Sequence, residues 1–458
     1  MTDAETAKKT VIAVPAKRFF VGMLVKDIEL VPAIIDLVDN SVDGGKRLRP
    51  EPSANRYEGL RIDLTVNADE FEIDDNCGGI DLDWAREYAF RFGRPEDVKG
   101  PLGEVGQFGV GMKRALFKIG AEFTITSTTT KNAFTLPVDV DNWMADTSPE
   151  WSFELSDIDE YEELDASVTG TVIQVRRLHD TVAAEMGSDQ FANRLRDELR
   201  LRQARVIAQG MRISVNGTPV GEFEPELLAG PDLTPISIER QIPVGEESLT
   251  MKLYAGLVHL RETDSQRDDD DAEEFRQPPE AGWYLYCNDR LLLAANRTRL
   301  TGWGEAAAAY HPQYRQFRGY VLLEGPAWLM PWTTTKTSVD EDSAVFRVVQ
   351  TAMFDALAKS QAAMNRIKKE RQSSPEGERP AFDAVRTARP MPLESLETST
   401  RFALPEPLPR RPASNVKWIR YSVDPADFKL VSEELGTTAA VEVGRETFSY
   451  YLRTQVPR

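Results

Sequence analysis

This sequence predicts an α+β protein with more than one domain, and three observations carry the prediction. Residues 33–44 place Ile34, Leu37, Val38, Ser41 and Val42 on one side at helical spacing. Residues 60–66 alternate apolar and polar, the period of a half-buried strand. The chain has 458 residues, too many for one hydrophobic core.

Taken in order, residues 11–30 read as a short strand or arm leading into the helix at 33–44, which Gly44-Gly45 should end. The strand at 60–66 is followed by a second at 71–73 and a helical pattern at 83–92. Residues 93–111, rich in glycine, read as a long loop, and 112–119 as a helix closed by a left-handed cap at Gly120. Strands are expected at 123–127 and 169–175. A second domain should open with a helix at 191–209. Hairpins follow at 213–220, where Asn216-Gly217 marks the turn, and at 283–293, where Asn288-Asp289 does. A strand at 320–324 and a long helix at 343–366 complete it. The expected domains are 1–185, 186–367 with an acidic insertion near 262–279, a Pro/Arg-rich linker at 368–415, and a small helical docking module at 416–458.

Composition removes several function classes. The hydrophobic fraction of 41% is that of a soluble globular protein, and no apolar run approaches the length of a membrane span. Residues 1–10 carry no apolar signal core. Cys77 and Cys287 are too few for a disulfide framework, and His179, His259 and His311 too scattered for a histidine-built metal site, so a cytoplasmic setting is expected. A net charge of −19 argues against a protein that coats nucleic acid with its whole surface.

Four features bear on a nucleotide site. Asp36, Asn40 and Asp43 stand at i, i+4 and i+7 and stack along one helix face. A carboxylate and an amide one turn apart suit a water and a magnesium ion, and suit equally the solvated side of an amphipathic helix. Residues 75–80, Asp-Asn-Cys-Gly-Gly-Ile, follow a strand. Asp75 there would accept from an exocyclic amine such as adenine's, while the glycines admit a ligand to the backbone; the segment reads equally as a turn. Gly106, Gly109 and Gly111 precede a helix bearing Lys113 and Arg114, the makings of a phosphate cradle that is neither a Walker loop nor a Rossmann turn. Thr169-Gly-Thr171 opens a strand with hydroxyls suited to a base or its water.

In this order the four features resemble the GHKL ATPases, the superfamily of gyrase-type topoisomerases, MutL and MORC proteins and the large ATP-dependent heat-shock chaperones. The resemblance implies a Bergerat-fold α/β sandwich followed by a ribosomal-S5-like α/β transducer domain and the C-terminal helical module. It implies ATP and Mg²⁺ as ligands, with Asn40 holding the metal, Asp75 reading adenine beside Gly79 and Ile80, and Thr171 helping to hold the base. Gly106, Gly109, Gly111 and Lys113 would wrap the phosphates, and Asp43 belongs to the same helical box. Asp36 stands where the family has the glutamate that activates water, its carboxylate about 1.5 Å shorter in reach. Cys77 stands where the adenine box has glycine. Residues 332–340 resemble the transducer loop that sends a lysine to the γ-phosphate, which implies Lys336 as the second catalytic residue. The hairpin at 284–293 resembles the corresponding MORC segment. The expected function is an ATP-hydrolysing switch, with ATP-dependent lid closure and homodimerisation controlling DNA or a separately encoded protein effector. The alternative is a scaffold that binds ATP and hydrolyses it slowly or not at all.

Overall fold

The computed structural model describes residues 15–26, 28–51, 53–93, 110–148, 151–259, 281–333, 338–374, 378–408 and 419–456. The chain divides into two compact units, Met1–Pro407 and Leu408–Arg458.

Helix α1 (Lys17–Lys26) precedes helix α2 (Leu30–Leu48), which organises the first half of the larger unit. Fifteen of the nineteen α2 residues are buried. Ile34, Leu37, Val38 and Val42 face the core as their spacing requires, but the opposite face is covered too: Asp36, Asp39, Asp43 and Lys46 are all buried. Gly44 and Gly45 do not end the helix. A Cβ at Gly44 would lie 2.8 Å from the Cys77 carbonyl oxygen, so the glycine admits a neighbouring backbone rather than stopping the helix.

Strands β1 (Arg61–Val66), β2 (Phe71–Asp75), β3 (Gly120–Thr128), β4 (Asn132–Asp139), β5 (Ser156–Glu160), β6 (Gly170–Leu178), β7 (Arg212–Val215) and β8 (Thr218–Pro219) form one sheet in the order β5-β4-β3-β6-β2-β1-β7-β8. Alternation holds as expected: Ile62, Leu64 and Val66 of β1 are buried and the residues between them half-buried. Helix α3 (Gly111–Ile119) packs against α2, and helices α4 (Val140–Ala145), α5 (Asp180–Met186), α6 (Asp189–Arg202) and α7 (Ala204–Ala208) complete this half. Gly120 is extended, not left-handed. It begins β3, and a Cβ there would press within 2.8 Å of Val175. The helix expected at 83–92 is cut to Leu82–Trp84 and a wider turn, Ala85–Ala89. β7 pairs in parallel with β1, carrying the first sheet past the boundary expected at 185.

The second sheet has the order β10-β11-β14-β12-β13, from β10 (Ile236–Val244), β11 (Glu247–Leu257), β12 (Gly282–Cys287), β13 (Arg290–Asn296) and β14 (Phe317–Glu324). The long helix α8 (Ala344–Ser373) buries Phe346, Val349, Met353 and Leu357 in the core of this sheet. The stretch expected as a linker is largely built in. Helix α9 (Pro380–Thr387) buries Ala381, Ala384 and Val385, and β15 (Arg389–Pro392) pairs with β9 (Glu226–Ala229). Three prolines of that stretch sit where they cost little: Pro380 opens a helix, and Pro390 and Pro392 lie in a two-stranded ribbon with an open edge. In the smaller unit, helices α10 (Pro425–Leu435) and α11 (Ala440–Gln455) pack together; Asp424 caps the first and Gly436, at φ 65°, terminates it.

Candidate nucleotide site

Three strand ends form the floor of the site. The register sets Asp75 of β2 opposite Thr171 of β6, and Thr171 opposite Ser127 of β3, so the three stand in one row. All three are buried. Asp75 is fixed by three donors: the Ser41 hydroxyl of α2 at 2.6 Å, the Cys77 amide at 2.9 Å and the Thr171 amide at 3.3 Å. Burial raises its carboxyl above the ordinary carboxylate range, with those three hydrogen bonds pulling the other way. Gly170 lets β6 come this close, because a Cβ there would fall 1.9 Å from the Asp75 carbonyl oxygen.

The chain then turns at Gly78 and Gly79, both with positive φ. At Gly79 a Cβ would meet the Thr128 carbonyl oxygen at 2.2 Å, so no other residue fits without parting two strands. The turn brings the Ile80 amide to the Ser127 hydroxyl at 2.6 Å. Asp75, Gly79, Ile80 and Thr171 thus meet at the ends of central strands of the sheet, where Ser41 of α2 reaches Asp75.

On α2 itself, Asn40 presents a shielded side-chain amide whose Nδ2 has no hydrogen-bond partner among the described residues. Leaving such a group unmatched costs about 1–3 kcal/mol, which a ligand bonding to the amide would recover. Asp43 is buried one turn further along and is engaged within the fold.

Asp36 has a different setting. One oxygen accepts from the Arg114 guanidinium of α3 at 3.0 Å, the other from the Arg290 guanidinium of β13 at 3.0 Å. Arg290 also pairs with Asp39, whose other oxygen takes the Gln203 side-chain amide at 2.8 Å. Two carboxylates and two guanidiniums thus form a buried, charge-balanced cluster. Burial lowers the Arg290 pKa from its ordinary value, against the pull of Asp36. The N-terminus of α3 comes up against the same group: a Cβ on Gly111 would sit 3.5 Å from an Asp36 oxygen.

Lys113 is turned away from this cluster. Its ammonium donates to the Ala89 carbonyl at 3.0 Å and lies 5.8 Å from the centre of the Phe92 ring, and burial pushes its pKa down to about 7. Gly106, Gly109, Lys336 and the acidic tract at 262–279 lie outside the described residues. A cleft of about 760 Å³ opens at the N-terminal end of α2, lined by Lys26, Glu29, Lys118, Arg194 and Arg202 among others. None of the candidate residues lines it, and Arg194 and Arg202 are paired with Glu185 and Glu198 of its own wall.

Sequence reasoning missed Ser41, Ser127 and Arg290. Ser41 and Ser127 carry no signal beyond neighbouring a box or ending a strand. Arg290 does carry one: a cation that opens the apolar strand Arg-Leu-Leu-Leu, directly after a predicted hairpin turn.

Residues 28–171 match the family described as histidine kinase-, DNA gyrase B-, and HSP90-like ATPase. No curated protein matches the chain. The match spans all four boxes, from the α2 helix to Thr171, and this part of the chain is a GHKL ATPase domain of mixed α/β content. Such a domain supports ATP as the ligand. Among the described residues, no helix is long and apolar enough to cross a membrane.

Proposed function

We propose that this chain binds ATP with Mg²⁺ and uses it as a conformational switch, hydrolysing it through Asp36. The observation that carries the reading is that a triply hydrogen-bonded Asp75 and an Asn40 whose Nδ2 is unpartnered among the described residues both fall inside the matched segment. The unpartnered Asn40 Nδ2 is a hydrogen-bond donor suited to a phosphate oxygen, and Oδ1 of the same amide is the atom that would hold a metal. Asp75 accepts from the adenine amine, with Thr171 beside it. The Asn40 side chain offers an oxygen to Mg²⁺, a hard cation that keeps several waters and phosphate oxygens in its octahedral shell. Bound there, the metal would neutralise phosphate charge. Gly106, Gly109 and Gly111 follow in our reading as the lid and phosphate contacts, with Lys113 joining them only on leaving the Ala89 carbonyl, and Lys336 as the lysine that meets the γ-phosphate. The second sheet is then the transducer, and α10 with α11 a docking module. Lid closure and dimerisation would follow ATP binding and control a DNA or protein partner.

A second reading is favoured by one specific observation. Each oxygen of Asp36 accepts from a guanidinium, so use of the carboxylate as a base competes with two buried ion pairs. In that reading the chain binds ATP as a scaffold and turns it over very slowly. Calorimetric ATP binding alongside steady-state turnover separates the two. Turnover in wild type that falls about 100-fold in Asp36→Asn, with binding kept, supports hydrolysis through Asp36. Equal background rates in both proteins, with binding intact, leave the scaffold reading. Absence of ATP binding in wild type removes both.

A further inference from the structure

The tip of the β12–β13 hairpin is where the second sheet reaches α2, and every residue in it is spoken for. Asn288 and Asp289 adopt positive φ, 49° and 73°, as a tight two-residue hairpin turn requires. The Asn288 carbonyl accepts from Lys46 of α2 at 2.9 Å. Asp289 pairs with Arg205 of α7 at 2.7 Å and with Lys46 at 3.8 Å. Burial opposes ionisation of Asp289, yet those two cations hold its pKa below the ordinary aspartate range. The Asn288 side chain is locked into its own sheet, donating to the Gly325 carbonyl at 2.9 Å and accepting from the Gly325 amide at 3.0 Å. The next residue, Arg290, has a side chain only 1% exposed and spans Asp36 and Asp39, one turn apart on α2.

We propose that Arg290 is a positioning residue for the nucleotide site: it ties α2 to the hairpin, so that a displacement of either is delivered to the other. The proposal rests on the reading of α2 as part of an ATP site. Its physical basis is the absence of slack. The tip cannot adjust locally, because Asn288 is bonded in both directions to Gly325. Arg290 cannot let go cheaply, because release strands a buried cation, leaves Asp39 with only the neutral Gln203 amide and takes one of the two cations from Asp36. Asp36 lies one turn from the Asn40 amide and against the first residue of α3, so the same cluster adjoins the end of the glycine-rich segment. Elements that share buried charges move together or exchange partners as a set, which is how a small shift at one site becomes a discrete one at another.

Hydrogen–deuterium exchange on the full chain, with and without MgATP, tests this, with ATP affinity measured in parallel by calorimetry. In wild type, MgATP should change exchange of the amides at 284–293 by about fivefold or more, the lower end of usual coupling strengths. Arg290→Met combined with Asp39→Asn removes the Arg290 link, leaving Asp36 paired with Arg114 and Lys46 as the remaining tie between α2 and the hairpin. There the hairpin response should fall to less than half of the wild-type value while ATP binding and the response of residues 170–178 persist. Arg290→Lys, whose single ammonium reaches one carboxylate, should restore part of it and serves as the milder variant if the double one fails to fold. A hairpin response as large as that of wild type in the double variant or in Arg290→Lys overturns the proposal, as does a wild type that binds ATP and leaves the hairpin unchanged. A wild type that does not bind ATP overturns the nucleotide-site reading itself, an outcome seen directly in the calorimetry.

Discussion

Asp75→Asn changes one atom of the candidate adenine contact and almost nothing around it. The retained Oδ1 can still accept from the Cys77 and Thr171 amides. The new amide nitrogen meets the Ser41 oxygen, which can turn its own proton away and accept. Three charge-assisted hydrogen bonds become neutral ones, weakening the fold. The Asp75 charge is also removed from a buried place, which strengthens it. The sign follows from the raised pKa. The folded carboxyl holds its proton at higher pH than the unfolded one, so Asp75 costs stability as pH rises above the ordinary aspartate value, and Asn removes that cost. Burial is the larger of the two effects, so stability at neutral pH should hold or rise slightly, by about 1 kcal/mol at most. ATP binding has no such compensation. An amide nitrogen facing the adenine amine replaces an acceptor with a donor, losing a hydrogen bond to a charged group worth about 1.5–3 kcal/mol, or about 10- to 150-fold in Kd. The same nitrogen can donate to the carbonyl that guanine carries at that position, so discrimination of ATP over GTP should narrow. Calorimetry with both nucleotides, beside thermal denaturation, reads all three quantities. An unchanged ATP affinity, or equal losses for ATP and GTP, would refute the assignment of Asp75 to the base.

Other outcomes follow from the same geometry. Lys113 has a folded pKa near 7 and an ordinary one well above it, so the unfolded chain binds the extra proton between them and this residue makes stability rise with pH across that window. Denaturant titrations at pH 7.5 and 9.5 should show wild type gaining about 2 kcal/mol relative to Lys113→Met, and no relative gain would contradict the burial argument. Gly79→Ala should cost at least about 2 kcal/mol by urea unfolding, since its Cβ meets the Thr128 carbonyl oxygen at 2.2 Å and its φ is +74°. Near-wild-type stability would show that β3 yields more readily than its place in the sheet implies.

Much of this protein was legible in the amino-acid sequence. The period of residues 33–44 announced α2, the alternation at 60–66 announced β1, and Asn288-Asp289 announced the hairpin that the structure contains. The boxes at Asp75–Ile80 and Gly170–Thr171 were legible because each is a short local pattern, and the family match covers them. Glycine was misread where its purpose was a long-range one. Gly44 and Gly120 looked like helix stops, yet each is there to admit an atom from a distant segment, the Cys77 carbonyl or Val175. Local spacing can say that a position needs a small residue without saying what approaches it.

Tertiary structure alone decided the state of α2. Periodicity established that Asp36, Asn40 and Asp43 share a face; it carried no information on what covers that face. The cover is Arg290, 254 residues away in sequence, brought there by a hairpin whose own turn was predictable. A buried ion pair depends on desolvation and on partners that meet only once both sheets are in place, so no window of sequence contains it. The sequence by itself marked the candidate residues of a nucleotide site. The fold determined that one of them, Asp36, is held between two arginines, and that another, Asn40, keeps a side-chain amide unmatched by any described residue.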